Sequence, residues 1–188
     1  MGRADAPHPS TSTVVPRIRR SAGGLRYREG MRILLVRHGE AVPYDTTPVD
    51  ERRWLTDVGR SGVRSVAQAL ATRGVRFTHV YTSPLVRAVQ TTEILVQHVH
   101  PASDVPVSVH VALSAEEGGI HQALAPLAKA GEDDTIALVT HMPKVSAMAA
   151  YLTGNQRFEP FDTGAVYMLT RTGGGPCSVE FALSPGRL

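Results

Sequence analysis

Met31-Arg32-Ile33-Leu34-Leu35-Val36-Arg37-His38-Gly39-Glu40 is the stretch whose reading decides the fold. Its centre, Ile33 to Val36, is an unbroken apolar run, the pattern of a strand covered on both faces. A second such run, Ile136-Ala137-Leu138-Val139, lies far downstream. Both end abruptly in polar residues: Arg37-His38-Gly39 after the first, Thr140-His141 after the second.

Between them the periodicity changes. Val63, Val66, Ala67 and Leu70 recur at i, i+3, i+4 and i+7, predicting a helix that starts near Asp57 behind a Thr56 cap and stops at Gly74. Thr78 to Thr82 predicts a short strand, and Pro84 is expected in the first turn of a helix reaching about Val99. Alternation from Val105 to Val111 predicts a strand. Ile120, Leu124 and Leu127 predict a helix closed by Gly131. Pro143 is expected to open a helix with Val145, Met148, Ala149 and Leu152 on one face. Ala165 to Thr170 and Ser178 to Leu183 flank Gly173-Gly174-Gly175-Pro176 and predict a hairpin at a sheet edge. Strand–helix alternation of this kind gives an α/β sandwich with a mostly parallel central sheet.

The chain has 188 residues, enough for one domain, with 42% hydrophobic and 20% charged residues. Its net charge of +3 is unevenly placed. Residues 1–30 hold six Arg against Asp5 and Glu29, a balance of +4, which leaves residues 31–188 at −1. Residues 1–30 have no hydrophobic period and are expected to be a disordered basic leader, with Met31 as an alternative start; residues 31–188 form the domain. A near-neutral body gives no footing for nucleic acid. Cys177 is the only cysteine, which excludes an intrachain disulfide and a two-cysteine metal site. No apolar run approaches the roughly 20 residues of a membrane span, and the leader lacks a secretory apolar segment. The expected location is the cytoplasm.

In a parallel sheet, ligands bind beyond the carboxyl ends of the strands. Arg37-His38-Gly39, Ser83-Pro84 and Thr140-His141 leave three expected strands at that edge. A phosphoryl dianion there would be held by the planar forks of Arg37 and Arg87 and by His141, with helix-start N–H groups near Ser83 and Met142 adding positive potential. His38 is then the natural nucleophile, since a neutral imidazole can attack phosphorus and divide hydrolysis into two easier steps. Gly39 would let the chain turn and keep bulk away from the phosphate. Two guanidiniums and a second imidazole supply the positive charge, so no metal or other cofactor is called for.

Competing readings exist for each residue. Arg37 and Arg87 could be structural ion-pair residues, with Glu40 or Glu93 as partners. His79, His98, His100, His110 and His121 follow no zinc spacing and are expected to be surface or satisfied histidines. Arg52 and Arg53 could bind substrate at the site mouth or belong to a solvated loop. The triple glycine is a turn, because no Lys-Ser/Thr or helix start follows it.

Four ordered blocks resemble the histidine phosphatase, or phosphoglycerate-mutase-like, superfamily: Val36-Arg37-His38-Gly39-Glu40, Leu55-Thr56-x-x-Gly59, Ser83-Pro84-Leu85-x-Arg87-Ala88-x-Gln90-Thr91 and Thr140-His141-x-Pro143. Within it the chain is most similar to the small SixA-type phosphohistidine phosphatases, over roughly residues 31–184. The resemblance implies a three-layer α/β/α sandwich, a phosphorylated His38, and a phosphate pocket of Arg37, Arg87 and His141. Typical mutases have a small hydroxyl residue and an Asn where this chain has Ala41 and Tyr44, which argues against mutase activity. Larger relatives insert a lid between the second Arg and the second His. Only 54 positions separate Arg87 from His141 here, which suggests an open site suited to phosphate carried on a protein. Many relatives place a Glu after the third strand as general acid, and Glu116 and Glu117 are the candidates. A phosphoimidazole needs less proton donation, since its ring leaves as neutral imidazole once protonated. The expected substrate is therefore phosphohistidine in a protein. Small phosphomonoesters are the alternative, and a non-catalytic phosphate-binding module is a third possibility.

Overall fold

The computed structural model describes residues 30–102 and 104–188. The expected leader therefore lies, Gly30 apart, outside the described residues. In chain order the elements are β1 (Met31–Arg37), α1 (Asp57–Thr72), β2 (His79–Thr82), α2 (Val86–Val99), β3 (Val107–Val109), α3 (Ile120–Ala123), β4 (Thr135–Thr140), α4 (Lys144–Thr153), β5 (Val166–Arg171) and β6 (Ser178–Leu183). Short 3-10 turns occupy Asp50–Arg52, Val111–Leu113 and Ala125–Lys129.

One six-stranded sheet runs in the order β3-β2-β4-β1-β5-β6. The pairs β1–β4, β2–β4 and β2–β3 are parallel, whereas β5 joins β1 and β6 joins β5 antiparallel. The unbroken apolar runs are the two central strands. Successive side chains of a strand point to opposite faces, so β1 feeds both layers. Leu34 and Val36 pack with Val63, Val66 and Leu70 of α1 and Leu95 and Val99 of α2. Ile33 and Leu35 pack with Leu113, Ala123, Val145, Met148 and Leu152 on the α3–α4 side. Helices on both faces of the sheet make the expected α/β/α sandwich.

The ends of α1 follow the sequence chemistry: the Thr56 hydroxyl accepts the Gly59 N–H at 2.9 Å, and Gly74 has φ +66° just past the helix. Three boundaries differ from expectation. Pro84 lies outside α2, whose cap is the extended residue Leu85. The strand expected from Val105 to Val111 shrinks to Val107–Val109, at the sheet edge with all three residues exposed. There the alternation had no buried face to report. The helix expected through Leu127 breaks after one turn into a 3-10 segment, because Pro126 has no N–H for the α-helical ladder.

The order β2-β4-β1 matters for function. It sets the tips of three parallel strands side by side, with the tip of β4 in the middle. Past those tips the ladders continue for one bond each: His38 N–H donates to the Thr140 carbonyl at 3.1 Å, and Ser83 N–H to the Val139 carbonyl at 3.0 Å.

Candidate active site

His38 leaves β1 and lies beside His141, which leaves β4; their ring centroids are 4.8 Å apart. The His38 Nδ1 is 2.7 Å from the Gly39 carbonyl oxygen. A carbonyl only accepts, so Nδ1 carries the ring proton and Nε2 presents a lone pair. Arg87, in the first turn of α2, directs Nε toward that Nε2 at 3.4 Å. Burial pushes the His38 pKa down to about 4; the Gly39 bond opposes this, while Arg87, Arg37 and Arg53 reinforce it. The ring is therefore neutral at pH 7.

Two buried side-chain atoms among the described residues have no hydrogen-bond partner, and both belong to this group: Arg37 Nε and His141 Nδ1. Arg37 is otherwise anchored by Nη1 on the Phe161 carbonyl at 2.7 Å. Burial lowers its pKa, and Asp162 acts the other way. His141 Nε2 meets the Ser83 hydroxyl at 2.7 Å, and the same oxygen accepts the Leu85 N–H at 3.3 Å. The Ser83 hydroxyl proton can go to Nε2, and in that arrangement the His141 ring proton lies on Nδ1. Burial, with help from His38 and Arg87, lowers the His141 pKa to about 3.

The loop from β1 to α1 closes over Arg87. Asp50 accepts from Arg87 twice, through its carbonyl to Nη1 and its carboxylate to Nη2, both at 2.8 Å. Its other carboxylate oxygen takes Arg53 Nη1 at 3.0 Å. Burial pushes the Asp50 carboxyl pKa up, but hydrogen bonds from Arg87, Tyr44 and Arg53 outweigh it and hold the group below the ordinary carboxylate range. Arg53 is tied by Nε to the Val42 carbonyl at 2.7 Å, with its guanidinium over the Tyr44 ring at 4.6 Å.

Of the four residues expected to converge, His38 contacts both Arg87 and His141, and Arg37 is near enough to act electrostatically on the His38 ring. Arg87 forms an ion pair with Asp50, a partner other than the Glu40 or Glu93 expected from the sequence. Of the two loop arginines, Arg53 faces the cluster while Arg52 is exposed. Glu116 and Glu117 are exposed, and their charges act on Lys144. Lys144 in turn holds their loop by donating to the carbonyls of Ala112, Ser114 and Glu117.

Gly39 requires a different account from the one expected. Its φ is not positive, and an added Cβ would meet Val63 Cγ2 at 2.7 Å and the Gly59 carbonyl at 3.0 Å. The missing side chain lets the β1 exit lie against the start of α1. Gly59 is the other half of that approach, since its Cβ would stand 2.1 Å from the Glu40 carbonyl.

The remaining histidines have other neighbours. His98 Nδ1 meets the Ile94 carbonyl at 2.9 Å, and His110 Nε2 meets the Gln122 carbonyl at 2.8 Å. His100 Nε2 accepts the Phe77 N–H, His79 stacks on Tyr81, and His121 meets Tyr151 edge-on. No group of three or more His, Cys, Asp or Glu among the described residues could hold a metal ion.

Sequence reasoning missed Asp50 and Thr91. Thr91 accepts the Gly39 N–H at 3.1 Å and so fixes the peptide to which His38 is bonded. The i, i+3 pairing of Asp50 with Arg53 was the available signal for the first. For Thr91 the sequence offered only its place in the third block.

Residues 33–115 match the model described as the histidine phosphatase superfamily, branch 1. The structure of the protein histidine phosphatase SixA complexed with tungstate is similar to this chain, with 27% identity and a TM-score of 0.74, over 83% of this chain and 98% of that one. A phosphoserine phosphatase mutant from Entamoeba histolytica, in complex with phosphoserine, shares the fold at 16% identity and a TM-score of 0.61, over 84% of this chain and 99% of that one. An uncharacterized protein of Picosynechococcus sp. is 42% identical over 65 residues, which is 35% of this chain and 39% of that relative. No helix among the described residues is long and apolar enough to cross a membrane.

Proposed function

We propose that this chain, which belongs to the histidine phosphatase superfamily over residues 33–115, is a phosphatase that removes the phosphoryl group from phosphohistidine in proteins through a phosphorylated His38. The observation that carries the reading is the pairing of a lone pair with free donors. His38 Nε2 is unprotonated, while the nearby Arg37 Nε is a buried donor without a partner and His141 Nδ1, equally unpartnered, becomes a donor when Ser83 gives its proton to Nε2. Buried polar groups are nearly always satisfied, so two exceptions beside one lone pair mark a place for an oxygen-rich anion. The similarity to a SixA protein histidine phosphatase bound to tungstate favours phosphohistidine over other phosphates.

In the first step the His38 Nε2 lone pair forms a bond to phosphorus as the bond from phosphorus to the substrate nitrogen breaks. The substrate imidazole, protonated on its other nitrogen, departs neutral and takes the bonding pair. Arg37, Arg87 and His141 Nδ1–H hold the equatorial oxygens throughout, where charge stabilisation contributes most. The Gly39 carbonyl stabilises the positive charge that develops on the His38 ring. In the second step water attacks phosphorus, the bond to Nε2 breaks, and phosphate leaves with the water oxygen while the spare proton passes to solvent. Glu116 and Glu117 are exposed, and neither is given a part in phosphohistidine turnover; an ester, whose alkoxide leaves poorly, would call on one of them.

The test is His38→Ala with a phosphohistidine protein as substrate. Turnover falls to background while circular dichroism is unchanged, and wild-type enzyme yields an acid-labile, base-stable phosphoenzyme. Full activity in the variant, an acid-stable adduct, or a wild-type preference for aryl phosphate over phosphohistidine overturns the reading.

A further inference from the structure

Asp50 places a negative charge beside cations that otherwise serve a phosphoryl group. Its carboxylate bridges Arg87 and Arg53 at 2.8 and 3.0 Å, and its backbone carbonyl takes a further N–H of Arg87. The Asp50 side chain is 30% exposed where that of Arg87 is 5%, so the carboxylate lies on the solvent side of the guanidinium it holds.

The carboxylate is fixed in place. Arg87, Arg53 and Tyr44 all bond to it, and the Asp50 carbonyl anchors the turn that carries it. Nor does it consume the cations. A guanidinium has five N–H donors. Arg87 gives two to Asp50 and points one at His38, and Arg53 gives one each to Val42 and Asp50. Donors remain on both for phosphoryl oxygens. The carboxylate is thus present when substrate binds, close enough to act electrostatically on His141 as well.

Its charge bears on whatever the phosphorus is attached to. We propose that Asp50 is a specificity-determining residue that favours phosphoryl groups on neutral or cationic leaving groups and disfavours those with a carboxylate near the phosphorus. The inference rests on the function proposed above for its biological sense, since an imidazole ring protonated on its other nitrogen carries positive charge until the bond to phosphorus breaks. Arg87 fixes the phosphoryl end, and Asp50, held by that same guanidinium, reads the charge beyond it.

Three aryl phosphates of one shape isolate the effect: phenyl phosphate, 4-carboxyphenyl phosphate and 4-(aminomethyl)phenyl phosphate. Each variant's kcat/KM is divided by its own value on phenyl phosphate, which cancels any general loss of activity or folding. Asp50→Asn raises the relative rate on the carboxylated substrate and lowers that on the aminomethyl substrate, each by about tenfold, as expected for unit charges several ångströms apart at a partly solvated site. Asp50→Glu keeps the wild-type order, and 0.5 M salt shrinks the differences in the wild type. If Asp50→Asn changes all three substrates by one factor, the residue acts only by placing Arg87 or by competing with phosphate, and the inference fails. Comparison of wild-type rates on a phosphohistidine protein and on phenyl phosphate tests the proposed function separately. A preference for the ester there would remove the imidazole substrate while leaving the aryl series to judge Asp50.

Discussion

The Nδ1 of His38 and the carbonyl oxygen of Gly39 are 2.7 Å apart, so the ring is held by the backbone of its own neighbour. A single bond performs two tasks. It fixes the tautomer, and it fixes the rotation of the ring that carries the Nε2 lone pair toward Arg87. The peptide that accepts this bond is itself pinned, because Gly39 N–H donates to Thr91 on α2.

A buried, neutral His38 has consequences for pH. Burial lowers its pKa from the ordinary 6.5 to about 4, so the unfolded chain binds more protons than the folded one between those values. The associated stability is complete above pH 6.5 and is lost as the pH falls toward 4, by up to about 3 kcal/mol for this group. Nitrogen-15 spectra of the ligand-free protein should show a neutral ring protonated at Nδ1 down to about pH 4.5. Urea unfolding of His38→Asn should show a shallower loss of stability over the same range. A ring that titrates near 6.5, or an Nε2-protonated tautomer, would contradict the assignment.

Thr91→Val removes the acceptor of the Gly39 N–H without changing the shape of the side chain. The donor is then stranded in a buried place, at a cost of about 1–3 kcal/mol in stability. Because the Gly39 peptide positions His38, the nucleophile proposed above, kcat should fall about tenfold with KM changed less than threefold, and Thr91→Ser should restore most of the loss. Steady-state kinetics with urea denaturation separates the cases: a stability loss with unchanged kcat would make Thr91 merely structural.

Much of this was legible in the chain because the central strands are covered on both faces. Ile33 to Val36 and Ile136 to Val139 had to be apolar throughout, and the polar residues that end them had to lie at one sheet edge. The match between Gly39 and Gly59 was not legible, since it is a contact between the β1 exit and the first turn of α1 that only the folded chain defines. Asp50 escaped for a related reason. Its turn has no hydrophobic period, and its partner Arg87 is 37 residues away. The exposed β3 and the Pro126 break show the complementary failure, where alternation or helical spacing was present but edge exposure or a missing N–H decided the outcome.

Lys144 offers a test of how firmly the loop bearing Glu116 and Glu117 is attached. The residue is buried at the start of α4, and its ammonium donates to the carbonyls of Ala112, Ser114 and Glu117. Burial lowers its pKa, and the charges of Glu117 and Glu116 oppose that shift. Lys144→Met keeps the stem but deletes three charge-assisted bonds. The carbonyls of Ala112 and Glu117 can turn to water, whereas that of Ser114 is buried, so the loss should be about 2–4 kcal/mol rather than the full value of three bonds. Chemical denaturation would read it directly, and amide exchange across residues 112–118 should quicken. Turnover of a phosphohistidine protein should stay within about threefold of wild type, because neither glutamate takes part in that reaction as proposed. A collapse of turnover on phosphohistidine with the fold intact would instead give the loop a direct part in the chemistry and reopen the general-acid role for Glu116 or Glu117.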